Sequence, residues 1–373
     1  MENTHFDLAI VGGGIIGLSQ AWSGAKKGKK VILFERHPQA QEASIRNFGM
    51  IWPIGQPLDS YPTAMKSREI WLDLSKKASF WAETAGSLHL AYHEDEWAIL
   101  NEFYQLYQSS SYSLELLTPK MVSQKSAAVK MDGLLGALFS SSEVNVDPRQ
   151  AVWQIHKYLI EALNVQIEYK TVISNIDYPQ LTSGERVWKA EQIILCTGAD
   201  LETLFPAYYQ NLNLVKCKLQ MMRTVPQPAS WELGPNLAAG LTLLHYESFL
   251  ECPTRSILQK RIEQESPEYL KRGIHVMASQ TAYNEITIGD SHHYGDTILP
   301  FDDQKTNKLI LDYLKSFAHF PHSEIQSLWN GTYVKLPGKK WHIGSISSGI
   351  SVITGVGGAG MTLSFGLADL TNK

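Results

Sequence analysis

The sequence predicts an α/β protein, α+β over its whole length, in which a Rossmann-like unit is combined with a separate antiparallel sheet. Three observations predict this fold. A glycine-rich turn between two short apolar runs opens the chain, the central region carries strand patterns without helix patterns between them, and a second glycine-rich turn leads into the last helix. The length of 373 residues suits one large domain or two ordinary ones.

The composition excludes several classes of protein. With 44% hydrophobic and 19% charged residues, the chain can bury a core and is not disordered. The net charge of −4 provides no basic surface for nucleic acid or an anionic membrane. The cysteines Cys196, Cys217 and Cys252 lie far apart, which excludes a disulfide framework and suits a reducing compartment. Because no apolar run reaches about 18 residues and no basic leader precedes the first strand, we expect a cytoplasmic protein without a membrane span.

The opening turn has the pattern of a dinucleotide-binding site. Its elements are, in order, a strand at 6–11, the G-x-G-x-x-G run at 12–17, a helix from 15 to about 27, a strand at 31–34 and the acid Glu35. Gly12 permits the tight turn, Gly14 lets a pyrophosphate approach the backbone, and Gly17 lets the helix pack closely on the strand. The helix N-terminus favours phosphate, and Glu35 can accept hydrogen bonds from ribose hydroxyls. The pattern predicts a bound dinucleotide.

The next segment favours FAD over a nicotinamide cofactor. A nicotinamide enzyme continues the alternation of strands and helices for another ~100 residues. Here the alternation stops after Glu35, and the Gly and Pro of residues 43–53 argue against regular structure. A long flavin cofactor needs such an extended cradle.

Local signals predict the remaining elements in chain order. Asp147 is a suitable N-cap and Pro148 a suitable first-turn residue for a helix that ends near residue 164. The other predicted elements are helices at 61–84 and about 97–107, strands at 165–169, 171–176 and 192–196, strand-rich stretches at 212–224, 237–249 and 274–289, a helix at 302–317, and a strand at 350–354 before the second glycine-rich turn.

These motifs together resemble the D-amino-acid oxidase superfamily of FAD-dependent oxidoreductases, which includes glycine oxidase and sarcosine oxidase. The resemblance covers essentially the whole chain and rests on the 12–17 turn with Glu35, the 44–49 segment, Cys196-Thr197-Gly198 and the 355–362 turn. It implies a discontinuous FAD-binding domain at residues 1–85, 140–210 and 320–373. It also implies an antiparallel substrate domain inserted in two pieces, at residues 86–139 and 211–319.

The resemblance also implies which residues bind the cofactor. The residues expected to contact FAD are Gly12, Gly14, Ile15, Ile16, Gly17, Glu35, Arg36, Ser44, Asn47, Gly49, Met50, Val172, Thr197, Gly198, Gly355, Gly358, Gly360, Met361 and Thr362. The last turn is expected to direct its helix N-terminus at the pyrimidine end of the flavin, where the reduced cofactor carries negative charge. Sarcosine oxidases anchor the flavin through a cysteine before this turn, and residues 329–344 contain none, so we expect non-covalent FAD.

The activity implied is oxidation of a C–N bond in a small amine by hydride transfer to flavin, giving an imine and then an aldehyde or keto acid. The 44–49 segment and Leu244-His245-Tyr246 are similar to a bacterial subgroup linked to aminophosphonate breakdown. Tyr333 stands where many amino-acid oxidases place a carboxylate-binding Arg, and Thr362 replaces a basic residue of sarcosine oxidases. These departures argue against a simple α-amino acid and leave an aminophosphonate or another amino-acid-like amine.

The substrate site should supply an anion clamp and an apolar wall rather than a catalytic dyad. The clamp candidates are Arg46, His245, Tyr246 and Lys335, with Lys216 and Lys218 as further cations. The wall candidates are Trp52, Trp329 and Trp341. We interpret residues 289–293 (Gly-Asp-Ser-His-His) as a loop away from the cofactor, and no metal site is expected.

Two alternative functions remain open at the sequence level. One is a dehydrogenase of the same fold that passes electrons to a quinone or carrier instead of dioxygen. The other is a nucleic-acid-modifying FAD enzyme that acts on tRNA, which the negative net charge disfavours. The expected partners are therefore a small-molecule amine and dioxygen or an electron carrier, with no nucleic acid. The exact amine and the oligomeric state do not follow from the sequence.

Overall fold

The computed structural model describes residues 5–371. Its strands are β1 (His5–Val11), β2 (Val31–Phe34), β3 (Met50–Ile51), β4 (Ala82–Glu83), β5 (Ser87–Ala91), β6 (Leu114–Leu117), β7 (Gly136–Ser140), β8 (Val144–Val146), β9 (Gln166–Glu168), β10 (Asn175–Asp177), β11 (Gln180–Ser183), β12 (Arg186–Leu195), β13 (Val215–Thr224), β14 (Asn236–Ala238), β15 (Met277–Gln280), β16 (Ile286–Gly289), β17 (His293–Gly295), β18 (Ile325–Lys335), β19 (His342–Ser347) and β20 (Ile350–Thr354). Its α-helices are α1 (Ile15–Lys26), α2 (Tyr61–Lys77), α3 (Glu94–Tyr107), α4 (Pro119–Lys125), α5 (Pro148–Leu163), α6 (Pro206–Gln210), α7 (Gly240–His245), α8 (Arg255–Glu265), α9 (Pro267–Lys271), α10 (Gln304–Phe317) and α11 (Gly360–Thr371).

The first sheet has a parallel centre built from both ends of the chain. Within residues 5–371 it has eight strands, in the order β10-β11-β12-β1-β2-β9, with β20 beside β12 and β19 beside β20. β1 pairs in parallel with β2 and β12, and β12 pairs in parallel with β20. These strands are apolar and buried on both faces, which is typical of a parallel sheet covered on each side. Helix α1 and the C-terminal helix α11 therefore begin at the same edge of one sheet.

The second sheet is almost entirely antiparallel. In the described part of the chain it has nine strands, in the order β17-β13-β16-β15-β14-β5-β7-β6, with β18 paired to β13. The single parallel contact joins β14 to β5 among these described strands. A large apolar core lies between this sheet and its helices. A small three-stranded sheet, β3-β8-β4, forms a separate unit within the same residues.

Several predicted elements are confirmed. The strand at 31–34 agrees at both ends, and helix α1 ends one residue before the predicted end. Asp147 caps α5 as predicted, because its Oδ1 accepts a hydrogen bond from the Arg149 N–H at 3.0 Å. The mixed α/β fold class is also confirmed by the two sheets.

Other predicted elements are wrong. The stretch at 237–249 keeps only β14 and continues as helix α7 and a 3₁₀ turn at Glu247–Phe249. The periodicity of a short apolar run does not distinguish a strand from a buried helix. Here helix α7 begins at Gly240, which packs directly against the Glu96 carboxylate. The predicted helix at 61–84 ends at Lys77. Most of the predicted strand at 171–176 is a loop, and the Thr171 N–H at its start donates a hydrogen bond to the Glu35 carbonyl at 3.0 Å.

The strand pairing bears on the predicted domain boundaries. β18 lies in the segment assigned to the FAD-binding domain, yet all its pairing with β13 belongs to the second sheet. The assignment of 86–139 and 211–319 to the substrate domain stays a prediction. Among the described residues, no helix is both long enough and apolar enough to cross a bilayer.

Candidate active site

A cavity of about 770 Å³ is lined by both large sheets and by the glycine-rich turns at both ends of the chain. The predicted site residues that line it are Gly12, Gly14, Ile15, Ile16, Glu35, Arg36, Ser44, Arg46, Asn47, Met50, Val172, Thr197, Gly198, His245, Tyr246, Lys335, Gly355, Gly358, Gly360, Met361 and Thr362. Its volume falls in the upper part of the range of small-molecule sites, about 300–1,000 Å³. One continuous cavity therefore brings together the predicted cofactor and substrate residues.

Two of the predicted cofactor residues, Gly17 and Gly49, do not line this cavity, and their contact with FAD stays a prediction. A Cβ at Gly17 would lie 1.9 Å from the Gly12 carbonyl oxygen, so glycine is needed where α1 crosses the strand. A Cβ at Gly49 would lie 2.0 Å from the Val146 carbonyl oxygen, and its φ of +75° is left-handed. Both glycines allow close backbone contacts inside the protein.

The first glycine turn is held open toward the cavity. Gly12 has a φ of +113°, and a Cβ there would lie 2.2 Å from the Cys196 carbonyl oxygen. A Cβ at Gly14 would lie 3.0 Å from Ser44 Oγ, on the cavity side of the turn. The His156 Nε2–H donates to the Gly13 carbonyl oxygen at 3.1 Å, and burial lowers the pKa of this imidazole to about 4. The neutral His156 therefore holds the Gly13 carbonyl of the turn in place through this hydrogen bond.

Glu35 lies at the end of β2, as predicted, and it also braces the turn. Its carboxylate accepts the Gly13 N–H at 2.9 Å through Oε2 and the His37 N–H at 2.9 Å through Oε1. Glu35 is buried, and it lines the cavity. A carboxylate has about four acceptor positions, so two remain for a ligand.

The 42–48 segment folds onto the start of α1. Ser44 Oγ accepts the Ile15 N–H at 2.8 Å, which satisfies one of the four free donors of that helix end. The Asn47 amide donates to the carbonyls of Ala43 and Ser44 at 2.8 and 2.9 Å, and its oxygen accepts the Gly49 N–H at 2.7 Å. The segment is therefore a fixed part of the cavity wall.

A second helix begins at the cavity after the last glycine turn. Gly355 and Gly357 have φ values of +70° and +63°, which suit a tight turn before α11. Thr362 Oγ1 accepts the Trp52 N–H at 2.9 Å. This bond connects the C-terminal helix to the residues that follow the 42–48 segment. Of the predicted aromatic wall, Trp52 lines the cavity, whereas Trp329 and Trp341 lie elsewhere.

The cations at the opposite end of the cavity differ in what already binds them. Arg46 donates to the Gln41 carbonyl at 2.6 Å and to the Asn330 carbonyl at 3.3 Å, which engages two of its five N–H donors, and the Glu42 carboxylate lies 4.0 Å from its guanidinium. Lys335 lines the cavity on the same strand face as Tyr333, and no ion-pair partner of it lies within residues 5–371. Lys216 pairs with Glu202 at 2.6 Å and Lys218 with Asp302 at 2.9 Å, and neither lines the cavity.

Two tyrosines of this end stay protonated. Burial raises the pKa of Tyr333 and of Tyr246 well above the ordinary value. Tyr333 therefore offers a neutral hydroxyl at the position for which the sequence resemblance implies a carboxylate-binding Arg. The Tyr246 hydroxyl contacts Met277 Sδ at 3.5 Å, and its ring packs against Gly55.

The structure places a cluster of histidines at this end that the sequence analysis missed. His275, Asp290 and His292 line the cavity beside His245. Residues 290–292 do connect two strands, as expected of a loop, but all three side chains are buried. Main-chain hydrogen bonds between residues 275 and 290 extend the β15–β16 hairpin. The strand pattern at 274–289 could have predicted part of this cluster, because a hairpin over these residues brings its two ends, near His275 and Asp290, next to each other.

Comparisons with known proteins agree with this geometry. The family model described as DAO, FAD dependent oxidoreductase, matches residues 7–373. Monomeric sarcosine oxidase of Bacillus sp. (strain B-0618) is 20% identical over 204 residues, which are 53% of this chain and 52% of that protein. D-amino acid dehydrogenase of Helicobacter pylori (strain ATCC 700392 / 26695) is 23% identical over 248 residues, 52% of this chain and 60% of that protein. The chain thus spans about half the length of the curated relatives it matches.

Among solved structures, the fold is similar to that of glycine oxidase from Geobacillus kaustophilus. The TM-score is 0.76 at 18% identity, and the match covers 99% of this chain and 94% of that chain. At this identity the likeness shows the shared fold.

Proposed function

The chain belongs to the DAO family of FAD-dependent oxidoreductases, and from that membership we propose that it oxidises the C–N bond of a small amine carrying an anionic group. An aminophosphonate is the preferred substrate class, and the imine formed would be hydrolysed to an aldehyde or keto acid. The single observation that carries the choice of an anionic amine is Lys335, a lysine in the cavity wall without an acidic partner in the described residues.

The residues of the cavity fit FAD on the evidence of their own geometry. The Gly14 side of the first turn has space for a ligand, and nothing in the protein lies within 3.5 Å of where a Cβ would stand at Gly358 or Gly360. Helices α1 and α11 both begin at the cavity, and their N-termini favour anionic groups. Residues 12–16 and Glu35 would hold the adenosine and pyrophosphate, and residues 358–362 would hold the flavin ring.

FAD, when bound, supplies the acceptor for the hydride that leaves the substrate carbon. The chain itself then has three tasks. Lys335 and the neighbouring polar groups bind the substrate's anion, Trp52 and Tyr246 form the apolar wall that limits water, and the glycine turns fix the cofactor. Holding the reacting C–H bond in one orientation supplies most of the rate increase in such a reaction, since effective molarities reach about 10⁵–10⁸ M.

Two cations at the anion site favour a phosphonate over a carboxylate. A phosphonate can carry two negative charges, and a charge-assisted hydrogen bond contributes roughly 1.5–3 kcal/mol. Lys335 is the first cation, and the free part of the Arg46 guanidinium is the second. Tyr333 adds a neutral donor in place of the Arg that would suit a planar carboxylate.

Anaerobic titration of the FAD-loaded protein tests this proposal. We expect aminophosphonates to bleach the ~450 nm flavin band at lower concentration than aminocarboxylates of equal length. Equal responses to phosphonate, carboxylate and uncharged amine would contradict the anionic substrate class. A failure of every amine to bleach the band would contradict amine oxidation itself.

The electron acceptor is a separate part of the proposal. The curated relatives include an oxidase and dehydrogenases by name. We propose dioxygen as the acceptor, with hydrogen peroxide formed in air in proportion to the amine consumed. Turnover that needs an added quinone or dye and yields no peroxide would point to the dehydrogenase alternative.

A further inference from the structure

Three imidazoles are stacked at the substrate end of the cavity, around one carboxylate. The rings of His245 and His275 are 3.8 Å apart between centroids at an interplanar angle of 25°, and those of His275 and His292 are 5.1 Å apart at 17°. Asp290 Oδ1 lies 3.0 Å from His275 Nε2, and its Oδ2 lies 3.7 Å from His292 Nε2. We refer to His245, His275, His292 and Asp290 as the histidine cluster.

Within the cluster, the Asp290 carboxylate lies beside His275 and His292, and His245 has no carboxylate of the cluster paired with it. His275, Asp290 and His292 are each less than a tenth exposed, and the His292 Nδ1–H donates to the Gly273 carbonyl at 3.0 Å. His245 is the last residue of α7 and presents its exposed surface to the cavity. It is therefore the member of the cluster that a ligand in the cavity reaches first.

Charged and titratable groups from several elements surround His245. These groups are His275, Asp290 and His292 from the second sheet, Tyr246 and Glu247 from its own turn, Lys335 from β18, and Arg255 from α8. Arg255 donates to the Leu243 and Leu244 carbonyls at the end of α7, and Glu247 is exposed. Asp290 is already shared by two imidazoles. The permanent positive charge that remains beside His245 for a ligand is that of Lys335.

This environment suppresses the charged form of His245 in the free protein. Although His245 has surface exposed to the cavity, its position inside the protein removes it from bulk water and lowers its pKa well below the ordinary value, and His275, His292 and Lys335 lower it further. Burial would raise the pKa of Asp290, but the nearby His292 and His275 lower it below the ordinary value, so its negative charge is kept. Lys335 would repel a substrate ammonium and attract an oxyanion, and a bound oxyanion would favour the protonated form of His245.

A metal ion fits this geometry poorly. The ligand nitrogens of the three histidines lie within 4.8 Å of one another. A four-coordinate zinc with bonds of about 2.0–2.1 Å holds its ligand atoms only ~3.3 Å apart, with their lone pairs converging. Stacked rings direct their lone pairs side by side instead.

We propose that the histidine cluster and Lys335 form an oxyanion-binding site that takes up one proton from solvent at His245 when the substrate's anionic group binds. This inference rests on the proposed function, because it assigns the site to the anion of the same substrate. The bound anion stands between His245 and Lys335, the proton enters the His245 imidazole, and Asp290 holds the other two rings in place. Affinity for the anion therefore falls as the pH rises through the range in which the occupied His245 loses its proton.

Calorimetric titration of the FAD-loaded protein tests the proton uptake without using catalysis. Methylphosphonate and acetate are the probes, in two buffers of different ionisation enthalpy and at a pH high enough that methylphosphonate is already a dianion, so that the probe has no proton of its own to give. We expect a buffer-dependent heat that corresponds to uptake of up to one proton for each methylphosphonate bound. A larger uptake with methylphosphonate than with acetate assigns the site to phosphonates, and the reverse assigns it to carboxylates.

Variants identify the group that takes the proton. His245→Gln should abolish the uptake and weaken methylphosphonate binding about tenfold or more. His293→Gln is the matched control, because His293 follows His292 in sequence but is exposed and does not line the cavity, and it should behave as the unmodified protein. An unchanged FAD content and flavin spectrum show that each variant is folded. If His245→Gln lost its FAD, Lys335→Met would serve instead, with the same weakening expected.

Binding without proton uptake, or the same uptake in His245→Gln, would overturn the inference. Tight binding of Zn²⁺ that His245→Gln abolishes would overturn it in favour of a metal site. Because the probes are not amines, failure of amines to bleach the flavin would refute the proposed function while this titration still reported on the anion site. Flavin bleaching by amines without proton uptake would refute this inference alone.

Discussion

Lys335 is the side chain on which the choice of substrate class depends most directly. We expect Lys335→Met to raise the half-saturating concentration of an anionic amine about tenfold or more, at 1.4 kcal/mol for each factor of ten. A neutral amine of equal size should show a smaller change, since the substitution removes a charge and keeps most of the apolar stem. Steady-state or anaerobic reduction kinetics with both amines measure the difference.

Lys216→Met is the control for this substitution. Lys216 also lies on a strand of the second sheet, but it pairs with Glu202 and does not line the cavity. Its replacement should leave both half-saturating concentrations within about twofold, as is usual for a surface pair contributing about 0–1 kcal/mol. If Lys335→Met changed the half-saturating concentrations of the anionic and the neutral amine equally, Lys335 would not bind the substrate's anion and the proposed anion site would be contradicted.

Glu35 braces the first glycine turn and is predicted to bind the ribose of FAD, so its removal should have two separable effects. We expect Glu35→Ala to weaken FAD by about 1.5–3 kcal/mol, because ribose hydroxyls lose a charged acceptor. The same change leaves the Gly13 and His37 N–H groups without their present acceptor. The melting temperature of the FAD-free protein should therefore fall as well. Fluorescence titration of FAD and thermal melts of the FAD-free form measure the two effects, and unchanged FAD affinity would contradict the ribose contact.

At the scale of elements, the first glycine turn is the part whose shape is most constrained. Gly14→Val should abolish stoichiometric FAD binding, because its side chain would project beside Ser44 into the space of the pyrophosphate. Circular dichroism should show an intact fold. Gly295→Ala is the matched control: a Cβ there meets only the Thr297 carbonyl oxygen, at 3.7 Å, and the residue does not line the cavity. A Gly14→Val protein that still held one FAD per chain would refute our interpretation of the turn.

Elements with strong local signals could be predicted from the sequence, and those decided by distant packing could not. In the β1-α1-β2 unit, the glycines of the 12–17 turn mark where the strand ends and the helix begins, and Asp147 and Pro148 mark the start of α5. Helix α7 carries no such marks. Its backbone is set by contacts with Glu96 and with Tyr313, whose hydroxyl accepts the Leu241 N–H at 3.0 Å. Contacts across more than 70 residues leave no local pattern.

The candidate site divides in the same way. The cofactor end was predictable because glycine turns and a strand-end acid have fixed spacing in sequence. The histidine cluster was not, since residues 245, 275 and 292 come from a helix end and two strand ends. The register of a hairpin and the approach of α7 bring them together, and single residue types at such distances carry no signal of their own.

At the scale of the whole molecule, the absence of a cysteine in residues 329–344 leads to a simple test of cofactor attachment. We expect the purified protein to be yellow and to release intact FAD when acid precipitates the chain. Cys196 lines the cavity, but burial raises the pKa of its thiol far above the ordinary value, so it is a poor nucleophile. Absorbance of the supernatant and the pellet after precipitation measures the release. Flavin retained in the pellet would show a covalent bond.

The pairing of β1 with β12, and of β12 with β20, has a consequence for how the protein is made. The cavity needs the turn at residues 12–17 and the turn at residues 355–362, which lie at the same edge of one sheet. A ribosome adding about 5–20 residues each second takes roughly 20–70 s to pass from one to the other. During that interval the nascent chain exposes the first turn without its counterpart. The complete flavin cavity can therefore form only after both turns have been synthesised.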